Sequence, residues 1–158
     1  MKKLFLVLSA FTIVVGVLMV AGGVYGILFT RSNVAREKVV TPDDASIPKT
    51  LVSGPLTLKA QADIIRTHAL RIAGGKAYAE MPREIPKLDS SGNPILDEAG
   101  KPVMTANTAR DIWITATTLI TALNLGIMAY VFSSLILLLG LILIGTGMTL
   151  VYVLKREV

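Results

Sequence analysis

The chain has no cysteine and a single histidine, His68, in 158 residues. The first absence excludes disulfides, thiolate metal sites, thioether-bound haem and cysteine nucleophiles. The second excludes a metal centre built on two or more imidazoles. Aromatic residues are only 6% of the chain. Charge is missing altogether from two stretches, Leu4 to Phe29 (26 residues) and Ile112 to Leu154 (43 residues). Apart from tyrosine, neither stretch holds an ionisable group, so neither supplies the relay that a pump or a carrier of charged substrates ordinarily needs.

Those two stretches raise the hydrophobic share to 53% and the mean hydropathy to +0.64, above the usual range for a soluble domain. About 20 apolar residues cross a bilayer, so residues 4–29 read as a first transmembrane helix. The basic start Met1-Lys2-Lys3 is also how a secretory signal begins, but the apolar run far exceeds a signal core of about 7–15 residues, and a retained anchor is expected. The second stretch would form a helix of about 65 Å, roughly twice the hydrocarbon thickness. Its first half is rich in threonine (Thr115, Thr117, Thr118, Thr121, with Thr105 and Thr108 just before it) and ends near Asn124. Residues 106–125 therefore read as a helix protruding from the bilayer and continuing into a second transmembrane helix, 126–154. Trp113, Ala116, Ile120, Leu123 and Ile127 would pack on the domain between the spans, with Tyr130 and Tyr152 at the two interfaces.

Small residues recur at every seventh position in both stretches: Ser9, Gly16, Gly23 and Thr30 in the first, Gly126, Ser133, Gly140 and Gly147 in the second. A seven-residue period keeps one seam of a helix facing a partner, and small side chains on it let two backbones approach where lipid removes the hydrophobic incentive. An antiparallel hairpin sets Gly147 near Ser9, Gly140 near Gly16, Ser133 near Gly23 and Gly126 near Thr30. The pairing can be within a subunit or between subunits. Gly22 and Gly26 form a separate GxxxG, a homodimer signal.

The net charge of +5 is spread out; its clusters, Lys2-Lys3 and Lys155-Arg156, sit at the membrane edges. Snorkelling anchors beside anionic headgroups account for them, and no nucleic-acid partner is implied. Residues 31–111 carry twelve basic against ten acidic residues. Segments longer than about 60 residues translocate largely regardless of charge. Both termini are thus placed in the cytoplasm, and residues 30–111 form an extracytoplasmic domain of a multi-pass inner-membrane protein.

Within that domain, Pro42, Pro48 and Pro55 punctuate an extended, loop-like connector. A helix over 56–73 follows, with Leu58, Ala62, Ile65, Ala69 and Ile72 on one stripe, and Gly74-Gly75 as its stop. Its other side carries Asp63, Arg66, His68 and Arg71, a candidate docking or ligand face. Residues 88–103 contain an eight-residue repeat, Leu-Asp-Ser-Ser-Gly-Asn-Pro-Ile then Leu-Asp-Glu-Ala-Gly-Lys-Pro-Val. Asp and Gly in each copy make a turn, and Pro cannot donate to a ladder, so a projecting hairpin-like excursion is expected. The alternating oxygens and closing Glu of a calcium loop are missing. No serine has a base–acid arrangement, and Gly74-Gly75-Lys76 lacks the spacing of a phosphate loop. No catalytic, cofactor-binding or metal site emerges, and the chain is read as not an enzyme.

Glu37-Lys38-Val39-Val40, Asp44-Ala45, Gly54-Pro55-Leu56-Thr57, Gln61-Ala62-Asp63-Ile64-Ile65, His68-Ala69-Leu70 and Gly75-Lys76-Ala77-Tyr78-Ala79-Glu80 occur in this order. Together they resemble a group of small two-span bacterial membrane proteins that often carry the label aromatic ring-opening dioxygenase. The resemblance implies the two-span topology, with the Leu88–Met104 repeat as an insertion. It implies no activity: an extradiol iron site needs two histidines and a carboxylate, and His68 is alone.

The expected protein is a mainly α membrane protein, with two transmembrane helices in an antiparallel hairpin and a small α-rich outer domain. It would serve as a non-catalytic structural or accessory subunit of a larger membrane or envelope complex. Membrane lipids and other subunits, or itself, would be its partners, and no cofactor is implied. The alternative is a sensor binding a ligand or lipid through the outer domain around Asp63, Arg66 and His68.

Overall fold

The structure, a computed structural model describing residues 2–156, is mainly helical. Helix α1 spans Lys2–Arg36, α2 Pro55–Ile72 and α3 Thr108–Arg156. A 3-10 turn (Tyr78–Glu80) and two short antiparallel strands, β1 (Glu84–Pro86) and β2 (Met104–Ala106), lie between α2 and α3. Helices α1 and α3 are each long and apolar enough to cross a membrane. Their large side chains are mostly exposed, among them Leu4, Phe11, Leu18, Phe29, Phe132 and Leu141. Where the two face each other they bury small residues, Ser9, Gly16 and Gly23 on α1 and Gly140 and Gly147 on α3; α3 also buries Ala116 and Tyr130.

The two helices run antiparallel and meet along those residues. A β-carbon placed on Gly16 would lie 2.7 Å from the Gly140 carbonyl oxygen, and one on Gly140 would lie 2.7 Å from the Gly16 carbonyl oxygen. In this reciprocal geometry each glycine's own hydrogen points at the facing carbonyl, a weak Cα–H···O contact of about 0.5–1 kcal/mol. Gly23 meets the Ser133 carbonyl in the same way, and Gly147 the Ser9 carbonyl. At the end of the seam near Gly126 the two helices part. Gly126 faces Leu58 of α2 and Val34, not Thr30, because α2 enters there as a third helix. Gly26 is covered by Ser133 while Gly22 has nothing near it, so the GxxxG pair is not presented as one open face.

Helix α2 lies along the first half of α3. Gly54 precedes Pro55, whose fixed φ suits a first helical turn, and the Thr57 hydroxyl accepts hydrogen bonds from the Ser53 and Gly54 amides. Gly74 and Gly75, both at positive φ, end the helix, and the Gly75 amide returns to the Leu70 carbonyl at 2.8 Å. Leu58 and Val52 are 1% exposed and join Tyr130 in the apolar cluster where α2 and the connector meet α1 and α3. Tyr130, expected at a lipid interface, is instead 7% exposed. Its hydroxyl donates to the Ser53 carbonyl at 2.5 Å.

The Pro-punctuated connector is a loop closed on itself by hydrogen bonds. Thr41, 2% exposed, donates from its hydroxyl to the Ile47 carbonyl and accepts from the Thr50 amide at 2.9 Å. Backbone bonds Thr41 to Thr50, Lys49 to Thr41 and Val52 to Val39 draw the two sides together.

Candidate functional site

Four residues of α2 were candidates for one docking face. The helix separates them into two. Asp63 pairs with Lys59 one turn earlier, at 2.5 Å, and the Arg66 guanidinium lies 5.9 Å from the Trp113 ring centroid. His68 and Arg71 face Asp44 in the connector: His68 Nε2 is 2.8 Å from Asp44 Oδ2, and the charge of Arg71 reaches the same carboxylate. The hydrogen bond from His68 holds the Asp44 carboxyl below its ordinary value, and the imidazole's charge adds to the effect. His68 follows Ile64 and Ala60 by one and two turns, and both are buried. The pair therefore marks where the connector closes over a second face of α2. It sits beside an open groove of about 370 Å³ that also includes Asp111, Thr115 and Ala116 of α3.

The period-eight excursion is more ordered than two consecutive turns. Asp89 Oδ1 accepts from the Ser91 and Asn93 amides, and Asp97 Oδ1 accepts from the Ala99 and Lys101 amides, all between 2.8 and 2.9 Å. Gly92 and Gly100 hold positive φ at matching places. The Lys87 amide donates to the Val103 carbonyl, Val103 to Ile95, and Ile95 back to Lys87, at 2.8, 2.8 and 2.9 Å. These three residues, eight apart, close a triangular ring with pseudo-threefold symmetry. Each ring member is preceded by proline: Pro86, Pro94, Pro102. That third proline, Pro86, is the sequence signal for a partial third copy that a two-copy reading overlooks. The next residue round the ring, Leu88, Leu96 or Met104, is exposed at 55%, 57% and 48% respectively.

The root of this module is fixed to α3. Asn107 caps the helix, its Oδ1 accepting from the Ala109 amide while its Nδ2 donates to the Pro82 carbonyl. Arg110 donates to the Met81 carbonyl at 2.6 Å and lies 3.9 Å over the Tyr78 ring. Trp113, half-buried, and Tyr78 head a shallow groove of about 590 Å³ that descends α3 to Leu125. Its threonines are turned to their own helix; Thr117, Thr118 and Thr121 each donate to the carbonyl four residues back.

A third cavity, of about 460 Å³, lies where the last turn of α1 meets α2 and α3. Val52, Leu58 and Leu119 contribute apolar wall, and Asn33, Glu37 and Gln61 are its polar lining. The Gln61 carbonyl oxygen is buried without a hydrogen-bond partner, alone in this among the described side chains. The sequence offered no sign of this site, because its walls come from three helices and a loop.

Among the described residues, no three His, Asp or Glu side chains gather closely enough to hold a metal ion. No family model, curated protein or solved structure matches this chain.

Proposed function

We propose that the chain is a two-span membrane protein whose α1 and α3 cross the bilayer as an antiparallel hairpin, with both termini cytoplasmic. It serves as a non-catalytic structural or accessory subunit, and its outer domain docks other subunits of a membrane or envelope complex. The single observation carrying this reading is the placement of unpartnered apolar side chains. Leu88, Leu96 and Met104 stand exposed on a module held rigid by its own hydrogen-bonded ring. Exposed apolar residues presented on an ordered scaffold away from the apolar helices suit recognition. The seam supports the topology: it closes α1 on α3 within one chain, so Lys2, Lys3, Lys155 and Arg156 share one end of the hairpin.

Native electrophoresis of membranes solubilised in mild detergent tests the proposal. The full chain is expected in an assembly larger than one protomer. Replacing residues 87–103 by a short Gly-Ser linker is expected to release a smaller species. A lone protomer in both cases would sink the subunit reading. The sensor reading has the Asp44–His68 pair as its support, since Asp63 and Arg66 belong to another face. A membrane-level pH response that His68→Ala abolishes would favour it.

A further inference from the structure

We infer that the cavity between α1, α2 and α3 is a binding site for the headgroup of a membrane phospholipid bearing a primary ammonium. The inference rests on the membrane-spanning reading above, which sets the depth of the cavity. The charge-free run of α1 ends at Phe29. Its cavity-lining residues Asn33 and Glu37 follow four and eight residues later, roughly 6–12 Å further along the axis. The polar layer adds about 5–7 Å on each side of a 30 Å hydrocarbon core, so the cavity opens at headgroup level and just beyond it.

The polar lining selects the headgroup. Glu37 supplies a carboxylate and Gln61 a carbonyl oxygen that lacks a donor, while no lysine or arginine lines the cavity. A buried acceptor left unpaired is costly, and the terminal torsion of a glutamine is broad enough to turn that oxygen toward an entering donor. A cation entering an apolar enclosure needs a counter-charge and hydrogen bonds to its N–H groups; Glu37 and Gln61 provide both. A choline headgroup carries the same charge but no N–H, so it leaves Gln61 unpaired. A glycerol headgroup offers hydroxyl donors but no cation for Glu37. Arg36 and Lys38, exposed on either side of Glu37 in the chain, supply positive charge for the phosphate of the same headgroup.

The test uses the full chain reconstituted in vesicles of phosphatidylethanolamine, phosphatidylcholine and phosphatidylglycerol, extracted in mild detergent and read by native mass spectrometry. One phosphatidylethanolamine per chain is expected, enriched about tenfold over phosphatidylcholine. Gln61→Leu and, separately, Glu37→Gln are each expected to lower that enrichment at least fivefold with helical content unchanged by circular dichroism. Equal retention of the two lipids, no retained lipid, or unaltered enrichment in both variants overturns the site. Carbonate washing of the same vesicles separates the two levels. A chain that stays inserted without lipid preference loses only this site, whereas a chain stripped from the vesicles loses the membrane reading and the site with it.

Discussion

Tyr130 and Ser53 lie 77 residues apart, and the phenolic hydroxyl of the first donates to the backbone carbonyl of the second at 2.5 Å. This bond sits in the apolar cluster of Val52, Leu58 and Tyr130, with Ile27, Val34, Leu123 and Ile127 packed around it. It joins the segment leading into α2 to helix α3. Tyr130→Phe keeps the ring and leaves the Ser53 carbonyl unpaired, an expected loss of roughly 1–2 kcal/mol. Denaturant titration in micelles would show it, with faster amide exchange across residues 52–58. A variant indistinguishable from the parent would mean water satisfies that carbonyl.

The seam makes a sharper demand. A side chain at Gly16 or Gly140 runs into the backbone of the opposite helix, which no rotamer relieves. Gly140→Val is expected to part α1 from α3, costing at least the roughly 1–3 kcal/mol of an overpacked core. Gly22→Val and Gly145→Val, where nothing lies within 4 Å, are the controls and should leave the hairpin intact. Amide exchange across residues 9–23 and 133–147, quickened in Gly140→Val and unchanged in the controls, reports the difference.

Thr41 closes the connector through its hydroxyl. Thr41→Val keeps the shape and removes both the bond donated to Ile47 and the one accepted from Thr50. A loss of roughly 1–3 kcal/mol is expected, since the amide and carbonyl it serves are left to find water. Exchange of the Thr50 amide, quickened while α3 stays protected, is the readout.

Asp44 predicts the acid behaviour of the same loop. Its carboxyl is depressed because His68 hydrogen-bonds to it, and the imidazole's charge adds to that. A depressed folded value means the contact stabilises the fold above the ordinary carboxylate range, and this contribution disappears as pH falls through the lowered value, below about pH 4. In a carbon-detected NMR titration, Asp44 should titrate below an unstructured aspartate, and His68→Ala should return it to the ordinary position. The pair is exposed, so the global melting temperature should barely move.

How far the sequence disclosed this molecule depends on how local each signal was. The long apolar helices were legible because the absence of charge over Leu4–Phe29 and Ile112–Leu154 is itself the signal, and the end of α2 was legible in Gly74-Gly75. Tyr130 was not, because a tyrosine near the end of an apolar run looks the same whether it meets lipid or a distant carbonyl. Nor was the closure of the connector: its bonds join Thr41 to residues six and nine positions on, and prolines mark a loop without saying which of its residues meet. The four candidate residues on α2 meet separate partners because residues 63, 66, 68 and 71 were grouped by charge, while a 3.6-residue period spreads them around the helix.

The ring of Lys87, Ile95 and Val103 gives the excursion the character of a cassette. Its entry and exit, Pro86 and Met104, are paired neighbours across β1 and β2, so the distance that the rest of the chain must span is independent of what lies between them. Removing all of it leaves a gap that a tight turn can bridge. Removing one eight-residue unit instead takes away a corner of the triangle, and two corners cannot close a ring. Length variation at this place should therefore be all or nothing, and a chain carrying half the excursion should present a frayed loop where this one presents a platform.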